Sequence, residues 1–332
     1  MDASLFGWWF TLLGLPLLAL AFWDVLHTTL HLDGGGPLTR LFSDGAWKVL
    51  LAGRRRGWTS HEAISRFSPF LLAWLLLVWN GLVWVGWTLV FCSDSHAVVD
   101  TFAHHPATPL DRLYFVGNTI LTLGLGDFRP NGFPWELLTV AAGGSGYFLM
   151  TLSVAYLLPV YSAAIQKRQT ASYVSSLGTT PEELVEAYRD GLLLKGHLRE
   201  LHRQVLMLSE KHRAYPVLHF FHGSNPDLSL ALRMATLDEG LSLLQFGLAE
   251  DVSRLPIKPL RQSISRYLDT LEEAHMEPSK QPPSSRDLSR LRDLGFETVS
   301  QAEYDERLTE LAMHRRCLLG LVVCHGWEWS QI

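Results

Sequence analysis

Asp111-Arg-Leu-Tyr-Phe-Val-Gly-Asn-Thr-Ile-Leu-Thr122-Leu-Gly-Leu-Gly-Asp127-Phe-Arg-Pro130 is too short and too interrupted to cross a membrane, yet long apolar stretches flank it on both sides. Its first part reads as a short helix. Thr108 suits the N-cap and Pro109 the first helical position, while Asp111 stands where a carboxylate completes a capping box and meets the positive end of the helix dipole. Leu110, Leu113, Tyr114 and Phe115 give that helix an apolar surface. It is expected to end near Thr122, because Gly124 and Gly126 supply conformations that residues with a Cβ avoid. Non-helical backbone at membrane depth is tolerated only where it is buried in protein or lines a water-filled cavity. A Thr followed by alternating glycines can turn successive carbonyls toward one axis and replace the hydration shell of a cation, with four copies completing the ring. On this reading Thr122 to Gly126 coordinate the ion and Asp127 adds negative charge at the mouth.

A membrane span needs about 20 mostly apolar residues. Leu5 to Trp23, Pro69 to Cys92 (with Asn80 as its one strongly polar interruption) and Leu137 to Ile165 qualify, and none alternates as a barrel strand does. The start of the chain offers only Asp2 where a secretory signal carries positive charge, so a retained helix is expected. Arg40, Lys48, Arg54, Arg55, Arg56 and Arg66 lie between the first two spans, Ser93 to Leu110 has no Lys or Arg, and Lys167 and Arg168 follow the third span at once. The positive-inside rule then puts the N-terminus outside, the basic loop inside, 93–110 outside and everything after Ile165 in the cytoplasm. Trp8, Trp9, Trp84, Trp87 and Trp135 fall near the outer ends, where an aromatic belt is expected.

Thr122-Leu-Gly-Leu-Gly-Asp127 resembles the potassium-channel selectivity filter, Thr-Val-Gly-Tyr-Gly-Asp, and the stretch from about Leu110 to Ala164 looks like the pore module of bacterial and two-pore-domain potassium channels. The resemblance covers about a sixth of the chain and implies a pore helix, a filter and a Gly-rich inner helix. Two-pore channels carry two such loops per chain, whereas this sequence has one, so the resemblance implies a homotetramer. Leu123 stands in place of the usual Val. Leu125 replaces the Tyr or Phe whose ring braces the filter, and a Leu cannot donate that hydrogen bond, which leaves selectivity for potassium over sodium open.

The whole-chain totals of 28 Lys+Arg against 33 Asp+Glu average two unlike halves. Residues 1–166 hold 18 charged residues and 10 of the 12 tryptophans, and 167–332 hold 43 charged residues. A near-neutral balance argues against a nucleic-acid partner, and three cysteines are too few for a disulfide scaffold. The second half has helical punctuation. Thr180-Pro-Glu-Glu opens a helix continued by Leu184, Tyr188, Leu192 and Leu198, and further helical runs are Leu228 to Leu248, Leu260 to Leu271 and Ala302 to Val323. Neither a Gly-x-Gly-x-x-Gly fingerprint nor alternating strands and helices are visible, and nothing points to an enzyme.

The expected fold is an all-α membrane protein with three transmembrane helices, a re-entrant pore helix and filter, and a cytoplasmic α-helical C-terminal domain, assembled as a homotetramer. Its parts are a first transmembrane helix in 1–34, a cytoplasmic amphipathic basic linker over 35–68, a pore domain over 69–166 and a cytoplasmic helical domain over 167–332. The pore domain divides into outer helix 69–92, extracellular segment 93–110, pore helix 111–121, filter 122–127 and inner helix 135–166. Residues 36–56 suit a helix along the inner leaflet in contact with anionic lipid. Gly143, Gly144, Gly146 and Pro159 are candidates for a hinge or gate, since glycine clusters and prolines are where helices bend, although glycines also permit close packing. Asp24, His27 and His31 share one helical face and are candidates for a pH or metal sensor, against the simpler reading that they bond the turn at Gly34, Gly35 and Gly36 or the polar headgroups. The histidines at 96, 104, 105, 197, 202, 212, 219 and 222, with His314, Cys317, Cys324 and His325, read as loop, core or surface residues rather than a zinc site. No cofactor is expected beyond permeant potassium ions in the filter. The functional expectation is a tetrameric cation channel for potassium, with a non-selective cation channel or a non-conducting membrane-anchored sensory or scaffold protein as alternatives.

Overall fold

The computed structural model describes residues 3–31, 35–56, 58, 60–272 and 276–332. Asp2 and Gly34 lie outside the described residues, as do the side chains of Leu5, Leu50, Leu51, Arg54, Arg55, Tyr188 and Leu192. The chain forms two compact units, Met1–Ser43 with Phe70–Pro159, and Asp44–Pro69 with Val160–Ile332. The divisions fall inside the helices α2 (Pro37–Arg55), α3 (His61–Cys92) and α5 (Trp135–Leu177).

The first unit is built on α1 (Ala3–Leu30), α3 and α5, which are long and apolar enough to cross a membrane. Leu12, Leu13, Trp74, Leu77, Val140, Tyr147, Met150 and Leu158 are exposed on them, an apolar surface that suits lipid or neighbouring helices rather than water. Small residues let α1 approach α3: a Cβ on Gly14 would fall 2.7 Å from the Gly86 carbonyl oxygen, and one on Gly86 would fall 2.8 Å from Leu18. Trp8 and Trp9 are exposed as an interfacial belt requires. Trp87 instead is buried and donates its indole N–H to Ser145 Oγ at 2.9 Å, and Trp84 donates to the Leu113 carbonyl at 2.8 Å. Trp87 thus serves packing rather than a belt, whereas Trp84 stays 38% exposed while its N–H is held by the protein.

The short helix α4 (Pro109–Ile120) starts with a complete capping box, in which Thr108 Oγ1 accepts from the Asp111 amide and Asp111 Oδ2 accepts from the Thr108 amide at 2.9 Å. Because Pro109 occupies the first turn, the helix begins two residues before the expected 111. The strands β1 (Val98–Asp100) and β2 (Phe128–Pro130) pair antiparallel, with Val99 opposite Arg129, so the fold is not purely α. Helix α5 runs on past the expected end at 166 to Leu177, because the polar stretch after Ile165 keeps an apolar stripe, Ala171 and Val174, and meets no helix breaker before Gly178.

The second unit is helical: α6 (Pro181–Glu186), α7 (Gly191–Ala214), α8 (Leu230–Ser242), α9 (Ile257–Glu272), α10 (Ser289–Asp293), α11 (Gln301–Leu308) and α12 (Ala312–Cys324). Leu194, Leu198, Leu201, Val205 and Leu208 repeat every three or four residues along α7 and meet Leu260, Ile264 and Leu268 of α9 in the core. The run expected over Ala302 to Val323 is broken by a 3₁₀ turn at Thr309–Leu311, and the run ending near Leu248 closes in a π-helical turn at Leu243–Gly247. Buried inside are two acids of α8. Asp238 Oδ1 lies 3.1 Å from Arg261 Nε and 3.1 Å from His314 Nε2, and Glu239 is held by both arms of Arg315, at 2.7 and 3.1 Å. Burial alone would raise the Asp238 carboxyl; Arg261 and His314 outweigh it and hold the group below the usual carboxylate range. For Glu239 burial wins over Arg315, and its carboxyl is raised.

Candidate functional site

The end of α4 delivers the chain into residues 121–127. The Leu121 amide donates to the Gly117 carbonyl at 3.0 Å, the Thr122 amide to Thr119 at 3.1 Å and the Leu123 amide to Asn118 at 2.9 Å, so the last orphan carbonyls of the helix hold the residues that follow it. Beyond that point the backbone alternates. Thr122, Gly124 and Gly126 lie in the left-handed region at φ 56, 67 and 83°, and Leu123 and Leu125 do not. Such alternation makes successive peptide groups converge on one side instead of alternating as in a strand. Among the described residues the carbonyls of Thr122, Leu123, Gly124 and Leu125 accept no hydrogen bond. The Gly126 carbonyl does, from Thr101 Oγ1 at 2.7 Å, so the run of unengaged carbonyls ends one residue earlier than the expected Thr122 to Gly126.

Three groups that sequence reasoning missed steady this segment. Tyr114 Oη donates to Asp127 Oδ2 at 2.8 Å, tying the end of the segment back to α4. Thr101 holds Gly126 through its hydroxyl and Asp127 through its amide, which donates to the Asp127 carbonyl at 3.0 Å. Arg112, 6% exposed, donates to the carbonyls of Ser95 and Ala107 at 2.7 and 2.8 Å and so pins 93–110 to α4. By contrast the Leu125 side chain is 58% exposed, and its amide makes only a long contact to Asn118 Oδ1 at 3.4 Å.

Gly143, Gly144, Gly146 and Pro159 all lie within unbroken α5. A Cβ on Gly146 would collide with the Ile120 carbonyl oxygen, so this glycine is needed where α5 passes the end of α4. One on Gly143 would touch Thr119 at 3.6 Å, and one on Gly144 would meet nothing within 4 Å.

The structure separates Asp24 from the two histidines that share its helical face. Asp24 is fully buried: Oδ1 accepts from the amides of Leu38 and Thr39 at 2.7 and 3.2 Å, and Oδ2 from Thr39 Oγ1 at 2.7 Å and Trp79 Nε1 at 2.8 Å. This carboxylate fastens the start of α2 and the middle of α3 to α1. His27 and His31 stack on each other, with ring centroids 4.6 Å apart. Among the described residues no group of three His, Cys, Asp or Glu side chains is placed to hold a metal ion. In Asp24→Asn, an amide nitrogen would face donors, and thermal melts of the detergent-solubilised protein should show a loss of about 1–3 kcal/mol; an unchanged melt would remove the fastening role.

A family model described as an ion channel, of potassium-channel pore type, matches residues 75–162, a stretch that includes all of α4, residues 121–127 and most of α5 up to Ser162. The chain is 36% identical over 327 residues to the "Uncharacterized membrane protein YdjJ" of Bacillus subtilis (strain 168), across 95% of this chain and 94% of that protein. No solved structure matches the chain.

Proposed function

This chain belongs to the potassium-channel-type pore family, and on that footing we propose that it is a homotetrameric channel conducting potassium through 122–127. The observation that carries this reading is the alternating backbone at Thr122, Gly124 and Gly126, which leaves four consecutive carbonyls unengaged. Carbonyl oxygens replace a cation's hydration shell only as rings, so one such strand supports a fourfold assembly about a common axis. The exposed apolar face of α5 supports the same assembly, and the negative end of α4 leads directly into Thr122 and Leu123. Lys and Arg placement supports an outside N-terminus and a cytoplasmic 167–332, with Arg40 and Lys48 of α2 reaching anionic headgroups while Leu41, Phe42 and Val49 face outward. Gly144, which has open space around it, and Pro159 are the positions at which α5 bends in gating.

A second reading, a non-selective cation channel, is favoured by Leu125, which offers no ring to brace the filter. Bi-ionic recording from the reconstituted protein decides between them. A reversal potential following the potassium gradient supports the first reading, equal sodium and potassium permeation supports the second, and silence under several pH and calcium conditions sinks both. In the same assay Tyr114→Phe releases Asp127 and should reduce sustained current several-fold, with a stability change of about 1 kcal/mol. Wild-type current in that variant would show that the Tyr114–Asp127 bond does not support the filter.

A further inference from the structure

A cavity of about 210 Å³ within the second unit is lined by Lys167, Arg168, His222, Ser224, Ser229 and His325 among others, and none of its lining residues is acidic. Lys167 is 7% exposed. Its Nζ donates to the carbonyls of Leu218 and Phe221 at 3.0 and 2.8 Å, and no carboxylate lines the cavity beside it. A buried cation of this kind is ordinarily paired, as Arg261 is with Asp238 and Arg315 with Glu239 in the same unit. Arg168 lines the same cavity and forms no ion pair among the described residues.

The start of α8 opens onto it as well. Ser229, Leu230 and Ala231 are lining residues, 2, 3 and 4% exposed, and Ser229 stands at the N-cap without a capping hydrogen bond from its side chain. The first amides of a helix have no intrahelical acceptor, and a buried helix start without a cap therefore presents both N–H donors and partial positive charge. Helix start, buried ammonium and guanidinium converge on one space. No carboxylate answers them there.

We propose that this cavity is a binding site for a phosphate-class anion, held by the amides that begin α8, by Lys167 and by Arg168. Helix N-termini with added cationic side chains recognise phosphate oxygens by this chemistry. His222, on the cavity wall, is hydrogen-bonded to His61 at the start of α3 (Nε2 to Nδ1, 2.7 Å), so the occupied site ties the start of α3, the extension of α5 and the start of α8 to one ligand. The phosphate can come from solution or from the headgroup of an anionic lipid. Binding does not depend on conduction, so its failure would leave the channel reading untouched.

The test uses the full chain. Thermal melts in detergent compare sodium phosphate with sodium chloride at equal ionic strength, and melts in phosphatidylcholine nanodiscs compare discs with and without phosphatidic acid. A rise in melting temperature with inorganic phosphate alone identifies a soluble ligand, a rise with phosphatidic acid alone identifies a headgroup, and either supports the site. Lys167 carries two structural bonds, so the informative variant is Arg168→Gln at an exposed position. Losing one charge-assisted contact should weaken the effective probe roughly tenfold. No rise with either probe, or an undiminished rise in Arg168→Gln, overturns the proposal.

Discussion

Gly124→Ala is expected to abolish potassium flux from reconstituted vesicles, while Gly132→Ala leaves flux within about twofold of wild type, the ordinary range for a position away from the working parts. The two glycines are matched in every local respect. Both are left-handed, at φ 67 and 73°, and a Cβ on either would meet nothing within 4 Å of its own chain. Each alanine therefore carries the same local backbone cost, about 1–2 kcal/mol. What differs is the consequence of escaping it. When residue 132 relaxes, only the turn before α5 changes; when residue 124 relaxes out of the left-handed region, its peptide groups rotate and the run of unengaged carbonyls from Thr122 to Leu125 is broken in every subunit. Losing about 3 kcal/mol of ion stabilisation at one ring raises the barrier enough to slow passage over a hundredfold. Wild-type flux in Gly124→Ala, with intact tetramers by crosslinking, would mean that ions do not pass along this backbone.

The parts of the fold that could be read from sequence are those whose causes are local. Three apolar stretches, the Thr108-Pro-x-Asp111 cap and the Gly-x-Gly spacing each depend on neighbours within a few residues. Thr122 was legible as a polar residue ahead of the glycines but not as a left-handed one, because a β-carbon residue adopts that conformation only when its surroundings hold it there, here through its own amide bond to Thr119 and that of Leu123 to Asn118. Tyr114 and Asp127 are thirteen residues apart and meet only because the chain reverses after α4. Asp24 announced itself as an intramembrane carboxylate, but its partner Trp79 lies 55 residues on, so periodicity grouped it with His27 and His31 instead. The β1–β2 pair escaped notice for the same reason: each strand is three residues long, and the pairing spans α4 and residues 121–127. In the second half, Asp238 and Glu239 are adjacent acids in a mostly apolar run whose one other charged residue is Arg233, a local sign that basic partners must come from elsewhere in the chain.

Those two acids carry the other large expected effect: Arg315→Met should destabilise the helical unit by about 3–5 kcal/mol, since it strands Glu239 as a buried charge. Arg315 also bridges to the carbonyls of Pro283 and Ser284, at 3.1 and 2.9 Å, so the segment that carries them between α9 and α10 loosens with it. The pH dependence has a definite sign. Burial raises the Glu239 carboxyl above its unfolded value of 4.5, so its contribution is fully present below that pH and is lost as pH rises through the folded value. Without Arg315 the folded value climbs further, and the deficit of the variant should widen from about pH 5 to about pH 8. Asp238 behaves oppositely: held low by Arg261 and His314, it stabilises above its unfolded value of 3.8 and loses that contribution only in stronger acid, so its share stays nearly constant across this window. Urea unfolding of the full chain in detergent, followed by helical circular dichroism at both pH values, measures the deficit. Adding Glu239→Gln should recover most of it, because removing both members of a buried pair leaves no stranded charge. A single variant within about 1 kcal/mol of wild type at the higher pH, or a double variant no better than the single one, would show that the helical unit does not depend on this pair.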